Sequence, residues 1–297
     1  MIQCLFLKGK VLVRAKKKFG QNFLKDEIVL DKIIQSMPND NLKVIEIGPG
    51  LGDLTKKLLQ QKNVVAFEID DELCDILKKE FSSSLKKGEL LLNCTDVLQY
   101  WEDKNLFNEK YNLVANLPYY IATKIVINAL KDDNCKNIIV MLQSEVAYKF
   151  CAETGDKDFS YLAVIADLIG NRSIVCDVEP KSFIPPPKVS SSVLKIEKQR
   201  DLKSKELFCD EKEIKQFEQF LKNAFKAPRK TLSKNLSDFG KDKIKYIFSE
   251  LNLDIKIRPH QLSSIKYLEI FNILKDINGR ENKGKEDKSS CQKTTKQ

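Results

Sequence analysis

The sequence predicts an α/β fold with a mostly parallel sheet, followed by a small all-α domain. From about residue 42 to residue 196, short β-rich runs alternate with segments of helical periodicity. This alternation is typical of parallel strands covered by helices on both faces. After about residue 200 the pattern is helical only, and Phe217, Phe220, Leu221, Ala224 and Phe225 recur at three- and four-residue spacing.

Seven strands and four helices are predicted in the first of these regions. The strands are Lys43–Ile47, Val64–Glu68, Glu89–Asn93, Tyr111–Ala115, Asn137–Leu142, Ser173–Val178 and Ser191–Glu197. The helices are Leu54–Gln60, Asp71–Phe81, Ala122–Leu130 and Glu145–Ala152. Only a Pro-rich loop separates the last two strands, which indicates an antiparallel pair that closes the sheet.

Charge divides the chain in the same way. Residues 1–18 contain six Lys/Arg and no acidic residue, residues 19–199 contain 22 basic and 27 acidic residues, and residues 200–297 contain 23 basic and 15 acidic residues. We therefore predict a basic N-terminal arm (1–18), a ligand-binding α/β domain (19–199), a basic helical domain (200–278) and a disordered tail (279–297). Two basic segments around an acidic domain favour a polyanionic partner such as nucleic acid.

Composition argues against several classes of protein. Apolar runs such as Ile138–Leu142 are far too short to cross a membrane, and the apolar N-terminal segment is interrupted by Lys8 and Lys10, so no signal peptide is expected. Residues 1–13 are interpreted as an extension upstream of the natural start.

The eight cysteines are scattered singly, which predicts reduced thiols in a cytoplasmic protein. Because His260 is the only histidine, no metal site is predicted. Nothing in the sequence indicates an obligate dimer, and a monomer is expected.

A glycine-rich loop follows the first strand of the sheet. In VIEIGPGLGDLT (44–55), Gly48, Gly50 and Gly52 lie between a strand and a helix, where backbone N–H groups can approach a ligand closely. The Gly-Lys-Ser/Thr ending of a P-loop is missing, and the G-x-G-x-G spacing after Glu46 differs from that of dinucleotide sites. Carboxylates here favour a ligand that carries cations. S-adenosylmethionine (AdoMet), with a sulfonium and an ammonium, is the first candidate, and a dinucleotide is the alternative.

Two further carboxylates follow neighbouring strands. Glu68 ends the second strand, twenty positions after Gly48, where an acidic side chain can accept hydrogen bonds from both ribose hydroxyls. Asp96 follows the third strand and could accept from an adenine amino group. Because the carboxyl ends of parallel strands lie at one edge of the sheet, we expect one cofactor site there.

An uncharged amide and an aromatic ring follow the fourth strand, in VANLPYY (114–120). Transfer of a methyl group to an aromatic amine such as adenine N6 needs acceptors for the amine hydrogens, and the Asn116 side chain and the Leu117 carbonyl can supply them. Pro118 fixes the turn, and Tyr119 offers a face on which a base stacks. No general base is required, because the cationic product loses its proton readily. This turn therefore predicts catalysis by orientation.

Six segments of the chain form a recognisable set: KKKFGQNFLKD (16–26), EIGPGLGDLT (46–55), FEIDDE (67–72), NLPYYIATKIV (116–126), MLQSEVAYK (141–149) and SFIPPPKVSSSVLKI (182–196). Together they resemble the bacterial small-subunit ribosomal RNA adenine N6,N6-dimethyltransferases. The resemblance runs from about residue 14 to residue 275. It implies a Rossmann-like, AdoMet-dependent methyltransferase sheet with an antiparallel closing hairpin and a small all-α C-terminal domain.

The resemblance implies roles for individual residues at the cofactor. Asn22 and Leu24 would cover the methionine end of AdoMet, and Gly48 would lie against the cofactor. Glu68 would bind the ribose and Asp96 the adenine.

The same resemblance implies roles at the RNA. Asn116 would lie between the cofactor and the target amine, as part of the catalytic turn with Leu117 and Pro118. Tyr119 and Phe183 would stack on the two faces of the target adenine. The residues implied to contact RNA phosphates are Lys16, Lys17, Lys18, Arg229 and Lys230.

The implied function is dimethylation of two adjacent adenines near the 3′ end of small-subunit rRNA during ribosome assembly. One alternative is a large-subunit rRNA methyltransferase of the resistance type. The other is a non-catalytic RNA-binding assembly or transcription factor on the same fold. The basic helical domain and the stretch PRKTL (228–232) favour the assembly enzyme.

Overall fold

The computed structural model describes residues 5–8, 11–101, 105–204 and 206–293. They form two compact units. The sheet unit contains the described residues up to Cys151 together with Ile169–Leu202, and the helical unit contains Ala152–Leu168 and the described residues from Lys203 onward.

The secondary structure confirms the predicted α/β pattern. The strands are β1 Leu5–Lys8, β2 Val11–Arg14, β3 Phe23–Leu24, β4 Lys43–Ile47, β5 Val64–Glu68, β6 Leu90–Cys94, β7 Tyr111–Asn116, β8 Cys135–Gln143, β9 Gly170–Val178, β10 Phe183–Ile184 and β11 Ser191–Lys198. The helices are α1 Glu27–Gln35, α2 Asp53–Leu58, α3 Asp71–Glu80, α4 Ser82–Lys87, α5 Val97–Tyr100, α6 Tyr119–Lys131, α7 Ser144–Cys151, α8 Tyr161–Ile169, α9 Glu211–Ala224, α10 Leu232–Asn235, α11 Lys241–Glu250 and α12 Ser264–Lys293. All seven predicted strands and all four predicted helices are present.

The main sheet has seven strands in the order β6-β5-β4-β7-β8-β11-β9. The five strands from β6 to β8 are parallel, and β11 pairs antiparallel with both β8 and β9. This is the predicted parallel sheet with its antiparallel closing pair. Since β4, β5, β6 and β7 are parallel neighbours, the loops that follow them meet at one edge of the sheet.

Two small strand pairs lie outside the predicted set, and so do the helices α1, α4, α5 and α8. β1 pairs with β2 in a hairpin, within the segment predicted as a basic arm, and β3 pairs antiparallel with β10. The helix α1 begins at its N-cap Asp26, whose side chain accepts hydrogen bonds from the Ile28 and Val29 backbone N–H groups. The pairing of β3 with β10 brings the residues after the N-terminal arm to the sheet edge described above.

The helical unit is built on a cluster of aromatic rings. The ring centroids of Phe217 and Phe271 lie 5.2 Å apart, and those of Phe208 and Phe217 lie 4.9 Å apart. These rings come from α9, α12 and the segment before α9, so the helical periodicity after residue 200 reflects a packed core. α12 continues as helix to Lys293, where the sequence predicts a disordered tail. Its Lys- and Glu-rich sequence disfavours packing but not the helical backbone itself.

The helical unit also includes residues 152–168, which the sequence pattern assigns to the α/β domain. The Phe159 and Phe225 rings are 6.2 Å apart, and the Gly155 N–H donates to the His260 carbonyl at 2.7 Å. These contacts explain why the segment belongs to the helical unit although it precedes β9 in the chain. The later boundary between the two units lies at residues 202 and 203.

One pair of cysteines departs from the expectation of reduced thiols. Cys74 and Cys94 are joined by a disulfide, with 6.1 Å between their Cα atoms. Cys94 ends β6, where it pairs with Glu68 of β5, and Cys74 lies in α3 just after β5. The topology of the sheet thus brings together two cysteines that are 20 positions apart. Their spacing in the sequence alone does not predict this contact.

No helix in the described ranges is both long and apolar enough to cross a membrane.

Asp132, at the end of α6, is the polar centre of the core beneath β7. Its carboxylate accepts hydrogen bonds from the Trp101 indole, the Tyr111 hydroxyl and the backbone N–H groups of Leu106 and Asn134. The Asp132 side chain is 3% exposed, so water cannot replace it as an acceptor. Buried donors without an acceptor are costly.

We predict that Asp132→Ala lowers the free energy of unfolding by about 3 kcal/mol or more, because it leaves several buried donors unpaired. Urea unfolding followed by circular dichroism measures this change. The exposed Asp75→Ala serves as the control, with an expected change within about 0.5 kcal/mol. Equal stability of the two variants would contradict this account of the core.

Candidate active site

A cavity of about 300 Å³ opens at the carboxyl edge of the parallel strands. It is lined by the loops after β4, β5, β6 and β7 and by residues 19–24. Apart from Phe183, all of the predicted catalytic and cofactor-binding residues line it: Asn22, Leu24, Gly48, Glu68, Asp96, Asn116, Leu117, Pro118 and Tyr119. The separate sequence motifs thus converge on one site.

The glycine loop allows an unusually close approach at Gly50. Its φ of +61° lies in the left-handed region, and a Cβ there would come within 3.1 Å of the Phe23 ring. The Phe23 ring, from the N-terminal segment of the chain, therefore packs directly against Gly50 of the glycine loop. Sequence reasoning selected its neighbours Asn22 and Leu24 but missed Phe23, although an aromatic residue between them was a visible signal.

Glu68 organises two loops from the end of β5. One carboxylate oxygen accepts from the Gly50 N–H at 3.1 Å, and the other accepts from the Ile69 and Asp70 N–H groups, both at 3.0 Å. The side chain is 4% exposed, and burial raises its pKa. Glu68 thus links the glycine loop to the loop before α3.

Glu46, just before the glycine loop, is a buried acid on the cavity wall. Its only described hydrogen-bond partner is the Thr55 hydroxyl, which donates to it at 2.6 Å. Burial is the main cause that raises the pKa of Glu46 to about 8; the Thr55 hydrogen bond acts against it, and the neighbouring Glu68 and Asp53 carboxylates add to it. A buried acid of this kind favours a positively charged ligand, because a nearby cation stabilises the ionised form.

Asp96 has two roles after β6. It is the N-cap of α5, and its Oδ1 accepts from the Leu98 N–H at 2.9 Å. The carboxylate is partly exposed and lines the cavity. Its second oxygen is therefore left for a donor such as an amino group in the cavity.

The amide of Asn116 has a fixed orientation at the end of β7. Its Nδ2 donates to the backbone carbonyl of Asn22 at 3.2 Å. A carbonyl oxygen can only accept a hydrogen bond, so the NH₂ group must face Asn22 and the Oδ1 atom must face the other way. The side chain thus presents an acceptor, and not a donor, to a substrate amine.

The segment before Asn22 is attached to the loop after β5 through Asp70. Lys16 Nζ lies 2.7 Å from Asp70 and 3.0 Å from Glu72, and Gln21 Nε2 donates to Asp70 at 2.8 Å. These ion pairs hold the N-terminal segment beside the cavity. The contact of Lys16 with RNA phosphate stays a prediction.

Phe183 is the predicted catalytic residue that lies away from the cavity. It is 2% exposed, it belongs to the main hydrophobic core and it does not line the cavity. The pairing of Phe183 with Leu24, through β10 and β3, holds it in the core. The stacking of Phe183 on the target adenine stays a prediction.

The other predicted phosphate contacts lie on exposed surface or outside the description. Lys18 is exposed, with its Nζ 4.4 Å from the centre of the Phe19 ring, and the Lys17 side chain lies outside the described residues. Arg229 and Lys230 are exposed in the helical unit. No ion pair is found for either of them within the described ranges.

A metal site is not formed by the described residues, which contain no group of three His, Cys, Asp or Glu able to hold an ion.

Comparison with known proteins decides the family. The sequence model for ribosomal RNA adenine dimethylases matches residues 12–276. The chain belongs to the ribosomal RNA adenine dimethylase family. It is an enzyme that transfers methyl groups, and its methyl donor is AdoMet.

Two relatives and two solved structures illustrate the similarity. The "Ribosomal RNA small subunit methyltransferase A" of Aliarcobacter butzleri is 51% identical over 271 residues, covering 90% of this chain and 98% of the relative. Its namesake from Campylobacter curvus is 49% identical over 276 residues, covering 92% and 97%. A dimethyladenosine transferase from Plasmodium falciparum is 25% identical with a TM-score of 0.67, over 84% of this chain and 95% of that chain. The 23S rRNA methyltransferase ErmE shares the fold, at 21% identity and a TM-score of 0.62, over 86% and 100%.

The cavity of this dimethylase-family chain fits AdoMet. The acidic residues of the lining are Glu46, Asp53, Glu68 and Asp96, and the lining found among the described residues contains no lysine, arginine or histidine. This set matches a ligand that carries positive charge and no phosphate. Glu68 and Asp96 would hold the ribose and the adenine, and residues around Asn22 would cover the remainder.

We predict that AdoMet binding releases a proton near pH 7, and that its affinity rises with pH up to about 8. The free protein holds Glu46 largely protonated because its pKa is raised, and a cation in the cavity favours the carboxylate. Calorimetric titration in two buffers of different ionisation enthalpy measures the release.

The Glu46→Gln variant carries a neutral amide at every pH. The number of protons released when it binds AdoMet should therefore fall by the part that Glu46 contributes. The exposed Glu80→Gln is the matched control and should behave as the wild type. Identical binding heats in both buffers for the wild type would contradict the prediction.

Proposed function

We propose that this enzyme transfers methyl groups from AdoMet to the exocyclic amino groups of two adjacent adenines near the 3′ end of small-subunit rRNA, giving N6,N6-dimethyladenosine during ribosome assembly. Relatives about half identical to the chain carry the small-subunit name. The observation that carries the chemistry is the orientation of the Asn116 amide, held by the Asn22 carbonyl.

The first step assigned to the chain is orientation of the target amine. The Asn116 Oδ1 accepts one N–H of the adenine amino group, and the Leu117 carbonyl accepts the other. The Leu117 N–H is already bound to the Met141 carbonyl at 3.0 Å, which fixes the turn. With both hydrogens held, the nitrogen moves towards tetrahedral geometry, and its lone pair is no longer delocalised into the ring and becomes nucleophilic.

The second contribution is the stacking surface of Tyr119. This residue is partly buried and lines the cavity, and an aromatic face stabilises a stacked base by about 1–3 kcal/mol. AdoMet supplies an electrophilic methyl group on a sulfonium. The side chains of the cavity supply orientation and an electrostatic setting, and the proton leaves the cationic product to water.

The third contribution is RNA binding by the helical unit. Arg229 and Lys230 lie in the loop before α10, and the Leu232 N–H donates to the Ile257 carbonyl at 2.8 Å. That bond places the exposed Lys256 and Arg258 beside the same loop. We assign this cluster, defined as Arg229, Lys230, Lys256 and Arg258, to contacts with RNA phosphates.

The protein acts as a cytoplasmic monomer in this proposal.

We predict that Asn116→Ala lowers kcat for methyl transfer by about 10²- to 10³-fold, because it removes a preorganised hydrogen-bonding group from the reacting centre. The measurement uses labelled AdoMet with small subunits from cells that lack the modification, followed by nucleoside analysis. Large subunits are tested in parallel.

The exposed Asn41→Ala is the control and should keep the wild-type rate. AdoMet binding should persist in Asn116→Ala. Full activity of Asn116→Ala would contradict the proposed mechanism, and labelling of large subunits alone would contradict the proposed substrate.

We predict that Arg229→Glu combined with Lys230→Glu weakens binding to small subunits, because the two side chains no longer neutralise RNA phosphates. The slope of log affinity against log salt should fall by about 0.7 or more for each phosphate that is no longer neutralised. Binding is measured by filter retention across a salt series. Lys212→Glu combined with Lys215→Glu, on α9 of the same unit, is the charge-matched control. An equal loss of affinity in both double variants would argue for a nonspecific charge effect and against a defined phosphate contact.

A further inference from the structure

The Tyr119 ring is attached at its far end to the sheet. Its hydroxyl lies 2.6 Å from Oγ of Ser191. Ser191 is the first residue of β11 and is fully buried. There it pairs with Gln143 of β8 on one side and Val178 of β9 on the other, so the hydroxyl group that holds Tyr119 belongs to the closing part of the sheet.

The neighbouring Ser192 provides a contrast. Its hydroxyl bonds to the Ser144 Oγ at 2.8 Å and to Asp177 Oδ1 at 2.6 Å, and neither partner lines the cavity. Both serines are fully buried and stand at successive positions of one strand, so their side chains point to opposite faces. Among the described residues, the only hydrogen-bond partner of the Ser191 hydroxyl is a residue of the cavity wall.

The local structure explains why Tyr119 needs such an attachment. It is the first residue of α6, directly after Pro118, and no side chain caps that helix end. A tyrosine in this position can rotate about its side-chain bonds unless a contact holds its ring. Burial raises the pKa of the Tyr119 hydroxyl, so it stays protonated and keeps its hydrogen bond.

We propose that Ser191 is a positioning residue for methyl transfer, which fixes the Tyr119 ring in the orientation that stacks on the target base. This inference rests on the proposed function, since it assumes that the Tyr119 face meets the adenine. Without the hydrogen bond, the ring must be ordered each time the base enters. That cost appears in the step that brings the base to the methyl group, and not in cofactor binding.

The test is a double-mutant cycle on the full chain. Ser191→Ala and Tyr119→Phe each remove the hydrogen bond from one side, and each should lower the single-turnover rate of methyl transfer to unmodified small subunits by about three- to tenfold. The double variant should be no slower than either single variant, because both remove the same interaction. The dissociation constant for S-adenosylhomocysteine, measured by calorimetry, should stay within about twofold of the wild type.

Ser192→Ala is the matched control, since it removes a hydroxyl of equal burial from the adjacent position. It should lower stability at least as much as Ser191→Ala does, yet leave the transfer rate unchanged. Ser191→Thr, which keeps the hydroxyl, should restore most of the rate. If Ser191→Ala fails to fold, Tyr119→Phe still removes the same bond with Ser191 intact.

The outcomes separate the inference from the proposed function. Wild-type rates in both Ser191→Ala and Tyr119→Phe, with a severe loss in Tyr119→Ala, would overturn the role of Ser191 while supporting the role of the ring. A full rate in Tyr119→Ala would overturn both. Additive losses in the double variant would show that the two side chains act independently, which also overturns the inference.

Discussion

The hydrogen bond from Asn116 to the Asn22 carbonyl is the constraint on which the site depends. It joins the end of β7 to the N-terminal segment, and it decides which atom of the amide faces the substrate. The opposite orientation would present N–H groups to an amine that needs acceptors. In the proposed mechanism, the backbone of the N-terminal segment therefore sets the chemical character of the Asn116 side chain. Its attachment through Lys16 and Asp70 supports the same arrangement.

The acidic side chains around the cavity make a second, electrostatic contribution to the site. Glu68 uses its hydrogen bonds to hold two loops together, whereas Glu46 has a single hydroxyl partner and a raised pKa. Burying such groups without a cation is unfavourable, and a cationic ligand relieves the cost. The protein thus couples the structure of its loops to the charge of its cofactor. In the proposed mechanism, catalysis at the adenine needs no acid or base from the chain.

The sequence was sufficient for the sheet and most of the cavity, because both follow from local patterns. Parallel strands end at one edge, so Gly48, Glu68, Asp96 and Asn116 could be brought together from spacing alone. Contacts between distant segments could not be predicted in that way. The engagement of Lys16 with Asp70, the burial of Phe183 through β10 and β3, and the Cys74–Cys94 bond all depend on tertiary pairing. A residue's type in a motif does not reveal whether its side chain is free.

A crystal structure with S-adenosylhomocysteine and a short RNA that carries the target adenine tests the central claim most directly. The account predicts the adenine N6 atom within about 3.2 Å of Asn116 Oδ1, with Nδ2 still bound to the Asn22 carbonyl. An N6 atom that contacts Nδ2, or that lies beyond hydrogen-bonding distance of Asn116, would contradict it.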